Sequence, residues 1–379
     1  MEEILIITRN HPPLVGGMER LMGHAVQELS RQYACTLIGP KGCESFISPP
    51  IIGRGCQTTP LPLFLLQAMF RTLTFTSGRK YRFALAGSGL TAPMAGMAKL
   101  LHRIPAVSFV HGLDLIAENK VYQKFFVPWL RRMDIVIANS RNTARLAVSK
   151  GVKPDKIRIL HPGVRFPPEY SGKEDDFRAR HNLAGKQILL SVGRQVPRKG
   201  IAEFLERSFP RIVAAHPDTV LIIIGTEAKD ALKKTGGPCR GLEGIAAAKG
   251  LERNLLIMGR VDDAILSAAY RTADLFIFPV RDTAGDVEGF GMVAVEAAAH
   301  GLPVVAFASG GVPDAVEDNY SGFLVEKDAY ERFAEITVKY LSGKVMQVNR
   351  VNCLEFAKRF EWCVFGSKLL EICSSIRKD

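Results

Sequence analysis

Short apolar runs alternate with amphipathic stretches of helical period along nearly the whole chain. In the first half the runs are Ile4 to Thr8, Ala34 to Gly39, Phe83 to Ala86, Ala106 to Val110, Ile135 to Ala138 and Ile157 to Leu160. In the second half they are Ile188 to Val192, 220 to 225, LLIMG, LFIFP and Leu302 to Phe307. Runs this short and this continuous predict strands buried on both faces of a parallel sheet. The stretches between them carry helical spacing, as in Met18, Leu21, Met22, Ala25, Val26 and Leu29. Ser140 stands where a helix N-cap belongs. Strands alternating with helices predict an α/β protein with doubly wound sheets. The plan occurs twice, joined by the proline-rich HPGVRFPPEY, so domains are expected at 1–168 and 169–360. Residues 40 to 62 are rich in proline and glycine and read as irregular. Leu61 to Phe83 is apolar and then basic, ending in Arg79, Lys80 and Arg82. It fits either a core helix with a solvated turn or a surface helix dipping into a bilayer interface.

Composition narrows the class. A chain of 379 residues, 47% hydrophobic and 23% charged, suits two soluble globular domains. No apolar stretch is long enough to cross a membrane. The acidic start, MEEILIITRN, lacks the positive region of a signal peptide. Seven cysteines without a CxxC pair point to reduced thiols in a cytoplasm, not structural zinc. The net charge of +12 is one-sided: residues 1–165 hold 22 Lys+Arg against 9 Asp+Glu, and the remainder 28 against 29. A basic half suits an anionic bilayer or anionic acceptor. With no zinc-finger, RNP or basic-zipper pattern, nucleic acid ranks last.

The chemistry concentrates in DVEGFGMVAVEAAAHGLPVVAFASGG, residues 286 to 311. Glu288 and Glu296 sit eight positions apart around Gly289, Phe290 and Gly291. A helix is expected from Met292 and Val293 to His300, stopped by Gly301 and Pro303. Its N-terminus favours a phosphate. Glu296, deeper in the helix, could accept bonds from ribose hydroxyls, and Glu288 is expected to be free to meet a sugar. The plainer alternative is a capping acid and a polar-face acid. Gly16 and Gly17, between a strand and a helix, permit close approach of an anion or simply make a tight turn. His111, in HGLD at a strand's carboxyl end, stands where open sheets place ligand groups. Arg194 and Lys199, on GRQVPRKG, can both turn onto a diphosphate or lie solvated. Arg260 and Val261, after Gly259, can offer backbone groups to a base edge.

Taken together, the double glycine, HGxD, GRxxPRKG and the E-x7-E spacing resemble retaining glycosyltransferase family 4. VPRKG and DVEGFG look most like its phosphatidylinositol-mannosyltransferase type. The resemblance implies the GT-B fold, two Rossmann-like domains facing a cleft, with the last helix, 361–379, crossing back to the first domain. It implies a nucleotide-sugar donor, GDP-mannose favoured, or else UDP-glucose or UDP-N-acetylglucosamine. Arg194, Lys199, Gly16 and Gly17 would hold the diphosphate, and Glu296 the ribose. Glu288 with Phe290 and Gly291 would hold sugar hydroxyls, and His111 would contact the sugar near the anomeric centre. No metal or other cofactor would be needed, and the acceptor would be a lipid-linked or cell-envelope glycan. An anionic membrane surface then becomes a partner, reached from the cytoplasmic face. The rivals are a nucleotide-sugar 2-epimerase and a non-catalytic nucleotide-sugar-binding protein.

Overall fold

The computed structural model describes residues 1–167, 173–226, 241–345 and 347–376, with the side chains of 173–175 left aside. The chain divides into two compact units: Met1–Gly163 with Trp362–Asp379, and Val164–Glu361. The boundary expected at 168/169, and Pro168 to Tyr170 of the expected linker, lie outside the described residues.

Unit 1 is built on seven strands: β1 (Glu3–Ile7), β2 (Ala34–Pro40), β3 (Ile52–Cys56), β4 (Ala84–Ala86), β5 (Ala106–Val110), β6 (Ile135–Ala138) and β7 (Ile157–Ile159). All pair in parallel, in the order β3-β2-β1-β4-β5-β6-β7. Successive residues of β1 serve opposite faces, as the period of two requires. Leu5 and Ile7 enter one core with Phe64, Ala68 and Ala95, while Ile4 and Ile6 enter the other with Leu21, Met22 and Val26. That second core also takes Phe365, Leu369 and Cys373 of the helix Trp362–Ser374, which makes this last helix part of unit 1. Strand β3 falls where an irregular stretch was expected. Two glycines, at 53 and 55, weaken its strand pattern, and it forms only as the edge partner of β2.

Unit 2 holds β8 (Gln187–Val192), β9 (Thr219–Ile224), β10 (Leu255–Gly259), β11 (Leu275–Phe278), β12 (Val304–Phe307) and β13 (Gly322–Val325). They too are parallel, in the order β10-β9-β8-β11-β12-β13. After β8 the chain forms two short helices, Ile201–Arg207 and Phe209–Ala215. The break falls at Ser208, whose hydroxyl donates to the Tyr330 carbonyl, and Pro210 sits in the first turn of the second helix. The chain reverses its order beside β1 in unit 1 and beside β8 in unit 2. At such switch points the loops leaving adjacent strands part and expose backbone, so ligands bind there.

Gly200 fixes one of these loops. Its φ of 69° is left-handed, and a Cβ would lie 2.0 Å from the Pro279 carbonyl oxygen in the neighbouring loop. Gly200→Ala should therefore cost more than the roughly 1 to 2 kcal/mol of left-handed backbone alone. Gly185→Ala is the control, with the same φ and nothing within 4 Å. Urea unfolding should place the first variant clearly below the second, and equal losses would contradict the close approach.

Candidate active site

Strands β8 and β11 are neighbours, and their loops are laced together by charge. Lys199 Nζ donates to Glu288 Oε2 at 2.7 Å and lies 4.7 Å from the Phe278 ring centroid. Arg198 donates from Nη1 to the same carboxylate oxygen and from Nε to Asp286 Oδ1 at 3.0 Å. The Arg281 N–H donates to the Arg198 carbonyl at 2.9 Å, and the Gly311 N–H to the Glu288 carbonyl at 2.8 Å. Glu288 is thus not free, as the sequence suggested; it is the counter-ion of two cations. Burial alone would raise its carboxyl, but Lys199 and Arg198 outweigh that and hold it down at about 2. It stays ionised through the neutral range. Burial draws Lys199 below the ordinary lysine value, with Glu288 opposing and the charges of Arg198 and Arg194 adding to it.

Arg194 remains exposed on the loop after β8, where its charge is felt by Lys199. The structure therefore gathers three cations at this switch point, and one of them, Arg198, the sequence reading passed over. Its two acids lie about ninety residues away, and no local pattern couples such positions.

The loop after β11 ends at Gly291, whose φ of 106° opens the helix Met292–Ala299. No side chain caps that helix, so its first N–H groups, at Met292 and Val293, are presented at the same end of the sheet. Phe290 is buried in the core. Glu296 is half-buried and accepts from the Tyr270 hydroxyl at 3.3 Å. Tyr270 stacks on His300, which donates from Nδ1 to the Glu296 carbonyl at 2.7 Å and meets Ser267 Oγ at 3.1 Å. Burial pushes His300 down to about 4, so it is neutral at pH 7. Gly259 closes β10, and Arg260 and Val261 follow it, with Arg260 exposed.

Unit 1 has its own polar cluster at the carboxyl ends of β4 and β5. His111 is buried, and its Nε2 lies 2.8 Å from the Gly87 carbonyl oxygen. A carbonyl only accepts, so Nε2 is the donor in that bond, and Nδ1 is the ring nitrogen left to accept. Asp114, quoted in the motif but given no role there, accepts from the N–H groups of His111 at 2.9 Å and Gly89 at 3.0 Å. Gly16 and Gly17 are exposed and open the helix Gly17–Leu29 without a side-chain cap. Glu19 in its first turn accepts from Asn10 Nδ2 at 2.9 Å.

Comparison with known proteins places this chemistry. The model for glycosyl transferases group 1 matches residues 173–359, and that for Glycosyltransferase Family 4 matches residues 15–166. The chain is 27% identical to a GDP-mannose-dependent alpha-(1-6)-phosphatidylinositol monomannoside mannosyltransferase of Mycolicibacterium smegmatis, over 99% of each chain. It is 28% identical to the corresponding protein of Mycobacterium tuberculosis, over 90% of this chain and 89% of that one. Among solved structures, Anabaena HepE in complex with UDP superposes with a TM-score of 0.78 at 19% identity, covering 99% of this chain and 100% of that one. Sucrose-phosphate synthase from Thermosynechococcus elongatus gives 0.77 at 20%, covering 98% of each. The two Rossmann-like sheets are those of the GT-B fold, and the chain belongs to the hexose-transferring glycosyltransferases of the group 1 and family 4 kind.

Proposed function

We propose that the protein transfers mannose from GDP-mannose, with retention, to a hydroxyl of a lipid-linked acceptor of the phosphatidylinositol mannoside type. The observation that carries this reading is the cluster of Arg194, Arg198 and Lys199 at the β8 switch point, set against Glu288. As the bond from the anomeric carbon to the diphosphate breaks, negative charge grows on the departing oxygen. Cations already fixed in place stabilise it without reorganising. The acceptor oxygen bonds to the anomeric carbon on the same face, and its proton passes to the departing phosphate. Fixed cations take the part a divalent metal plays elsewhere. Glu288 offers its remaining lone pairs to sugar hydroxyls, and Glu296 accepts from the ribose. The helix opening at Met292 and Val293 lends N–H groups to the anion. The backbone at Arg260 and Val261 meets the base, and Gly289 to Gly291 shape the loop.

Support for GDP-mannose comes from relatives that match this chain nearly end to end. The Anabaena protein was solved with UDP-glucose, which makes a UDP-sugar the second reading. At 19% identity that likeness speaks for the fold alone.

The membrane reading draws on the helix Leu61–Thr76. Phe64, Ala68 and Thr72 face the core, while Leu63, Leu66 and Phe70 form an exposed stripe of helical spacing. Both alternatives for this segment therefore describe one of its faces. Arg79 and Lys80 are exposed beside it, and Arg54 and Arg79 each flank the Phe75 ring. Arg82 is different. It pairs with Glu2 at 3.4 Å and donates to the Ile376 carbonyl, so it serves the fold and not a lipid surface. Each cation near an anionic leaflet adds about 1 kcal/mol, and the exposed side chains insert without a spanning helix. Such a surface supports the reading of a peripheral enzyme working at the cytoplasmic face of the plasma membrane. No described helix is long and apolar enough to cross a membrane.

Two measurements test these readings. Purified protein should release GDP from GDP-mannose in excess EDTA and form an α product. Lys199→Ala should lose roughly 2 to 4 kcal/mol of transition-state stabilisation, the scale for one preorganised donor. Activity that vanishes in EDTA and returns with Mg²⁺, or wild-type turnover by the alanine variant, would contradict the mechanism. In flotation assays the protein should follow anionic vesicles, detach at high salt, and lose binding on Arg79→Glu with Lys80→Glu or on Leu66→Ser with Phe70→Ser. Equal behaviour on neutral and anionic vesicles would remove the membrane reading.

A further inference from the structure

The carboxyl ends of β4, β5 and β6 gather buried polar atoms that take no partner among the described residues: Ser88 Oγ, His111 Nδ1, Asn139 Oδ1 and Tyr122 Oη. Ser88, His111 and Asn139 are 5%, 6% and 7% exposed, so solvent does not satisfy them. An orphaned buried polar group costs about 1 to 3 kcal/mol, and several in one place mark a ligand's position. One network holds them together. Gly87, preceding Ser88, accepts from His111 Nε2 at 2.8 Å, and Asn139 Nδ2 donates to the His111 carbonyl at 3.4 Å. A Cβ on Gly89 would lie 2.6 Å from Tyr122 Oη and 3.4 Å from Asp114 Oδ2, which puts the phenol against this turn. Tyr122 is set there by the helix Lys120–Phe125. Asn119 caps that helix, and Gln123 pins it through bonds to the carbonyls of Leu115 at 3.1 Å and Ala117 at 2.9 Å. Burial and the Asp114 carboxylate push the phenol above its ordinary value, so it keeps its proton.

We propose that Ser88, Tyr122 and Asn139, beside His111 Nδ1, form a subsite for a neutral polyhydroxylated ring, the sugar or cyclitol of the acceptor, and set specificity for it. The identification as acceptor rests on the transferase reading above. The donor–acceptor inventory selects the ligand class. Asn139 Oδ1 is a carbonyl oxygen and only accepts, and His111 Nδ1 accepts because Nε2 is the donor to Gly87. Ser88 and Tyr122 both give and take. Ring hydroxyls also give and take, and so match all four positions. A phosphate is mainly an acceptor and would set its lone pairs against those of Asn139 Oδ1 and His111 Nδ1. None of the four orphan atoms takes a hydrogen bond from a lysine or arginine among the described residues. Both Asp114 oxygens are occupied by the N–H groups of His111 and Gly89.

Saturation-transfer NMR on the full chain, with methyl α-mannopyranoside and with myo-inositol as probes, tests this. At least one probe should bind saturably and shift the ¹⁵N resonance of His111 Nδ1. Ser88→Ala and Tyr122→Phe, which delete single hydroxyls, should each weaken binding roughly three- to tenfold, one hydrogen bond's worth, at unchanged melting temperature. Inorganic phosphate should not displace the probe. Absence of saturable binding, wild-type affinity in both variants, or displacement by phosphate would each overturn the subsite. GDP titrated into the same samples separates the two readings. Polyol binding without GDP binding would overturn the GDP-mannose reading and leave the subsite standing. GDP binding without polyol binding would overturn the subsite alone.

Discussion

The ion pair between Lys199 and Glu288 is the constraint on which the candidate site of unit 2 depends. It ties the loop leaving β8 to the loop leaving β11, with Arg198 bridging Glu288 and Asp286 on the same side. A partly buried lysine and arginine without a counter-ion would cost several kcal/mol each in lost hydration. Glu288 removes that cost in the unliganded protein and orients both cations. Under the proposed mechanism a diphosphate meets these cations, and the same carboxylate weakens their net attraction for it. That tension suits a transferase, which must grip the leaving group most strongly while the bond is breaking and then let it go.

The scaffold explains why chemistry collects where it does. In both units the chain starts a sheet in the middle and builds outward in both directions. The loops after β1 and β4, and after β8 and β11, therefore diverge from neighbouring strands. Gly16, Gly17 and the Gly87–Gly89 turn lie on the first pair, and Arg194 to Lys199 and Glu288 on the second. The close approach of Gly200 to Pro279 fixes the spacing of the loops after β8 and β11.

Much of this was legible in the sequence because buried parallel strands are written as short apolar runs. Ile4 to Ile7 and Ala106 to Val110 are 1% exposed or less, and a segment that apolar has few other places to go. Strand β3 was not legible, since an edge strand with Gly53 and Gly55 lacks that pattern and borrows its order from β2. At the site, the residue types and their loops could be read, but their partners could not. Arg198 and Lys199 are adjacent cations with the same outlook in the sequence, and only the fold brings Asp286 and Glu288 to them. Arg82 shows the converse. It reads as one more charge in a basic segment, yet its carbonyl partner, Ile376, is almost three hundred residues away. Ser88 and Tyr122 carry no motif at all, and only their burial without partners singles them out.

The balance of charge at Lys199 can be measured directly. Calorimetry of GDP binding to wild type and to Glu288→Gln isolates it, because the substitution deletes one negative charge and keeps the shape. If Glu288 is the counter-ion that the diphosphate contends with, the variant should bind GDP several-fold more tightly while turning over GDP-mannose more slowly. Weaker or unchanged GDP binding in Glu288→Gln would show that the carboxylate does not oppose the diphosphate, and the electrostatic reading of the site would fail.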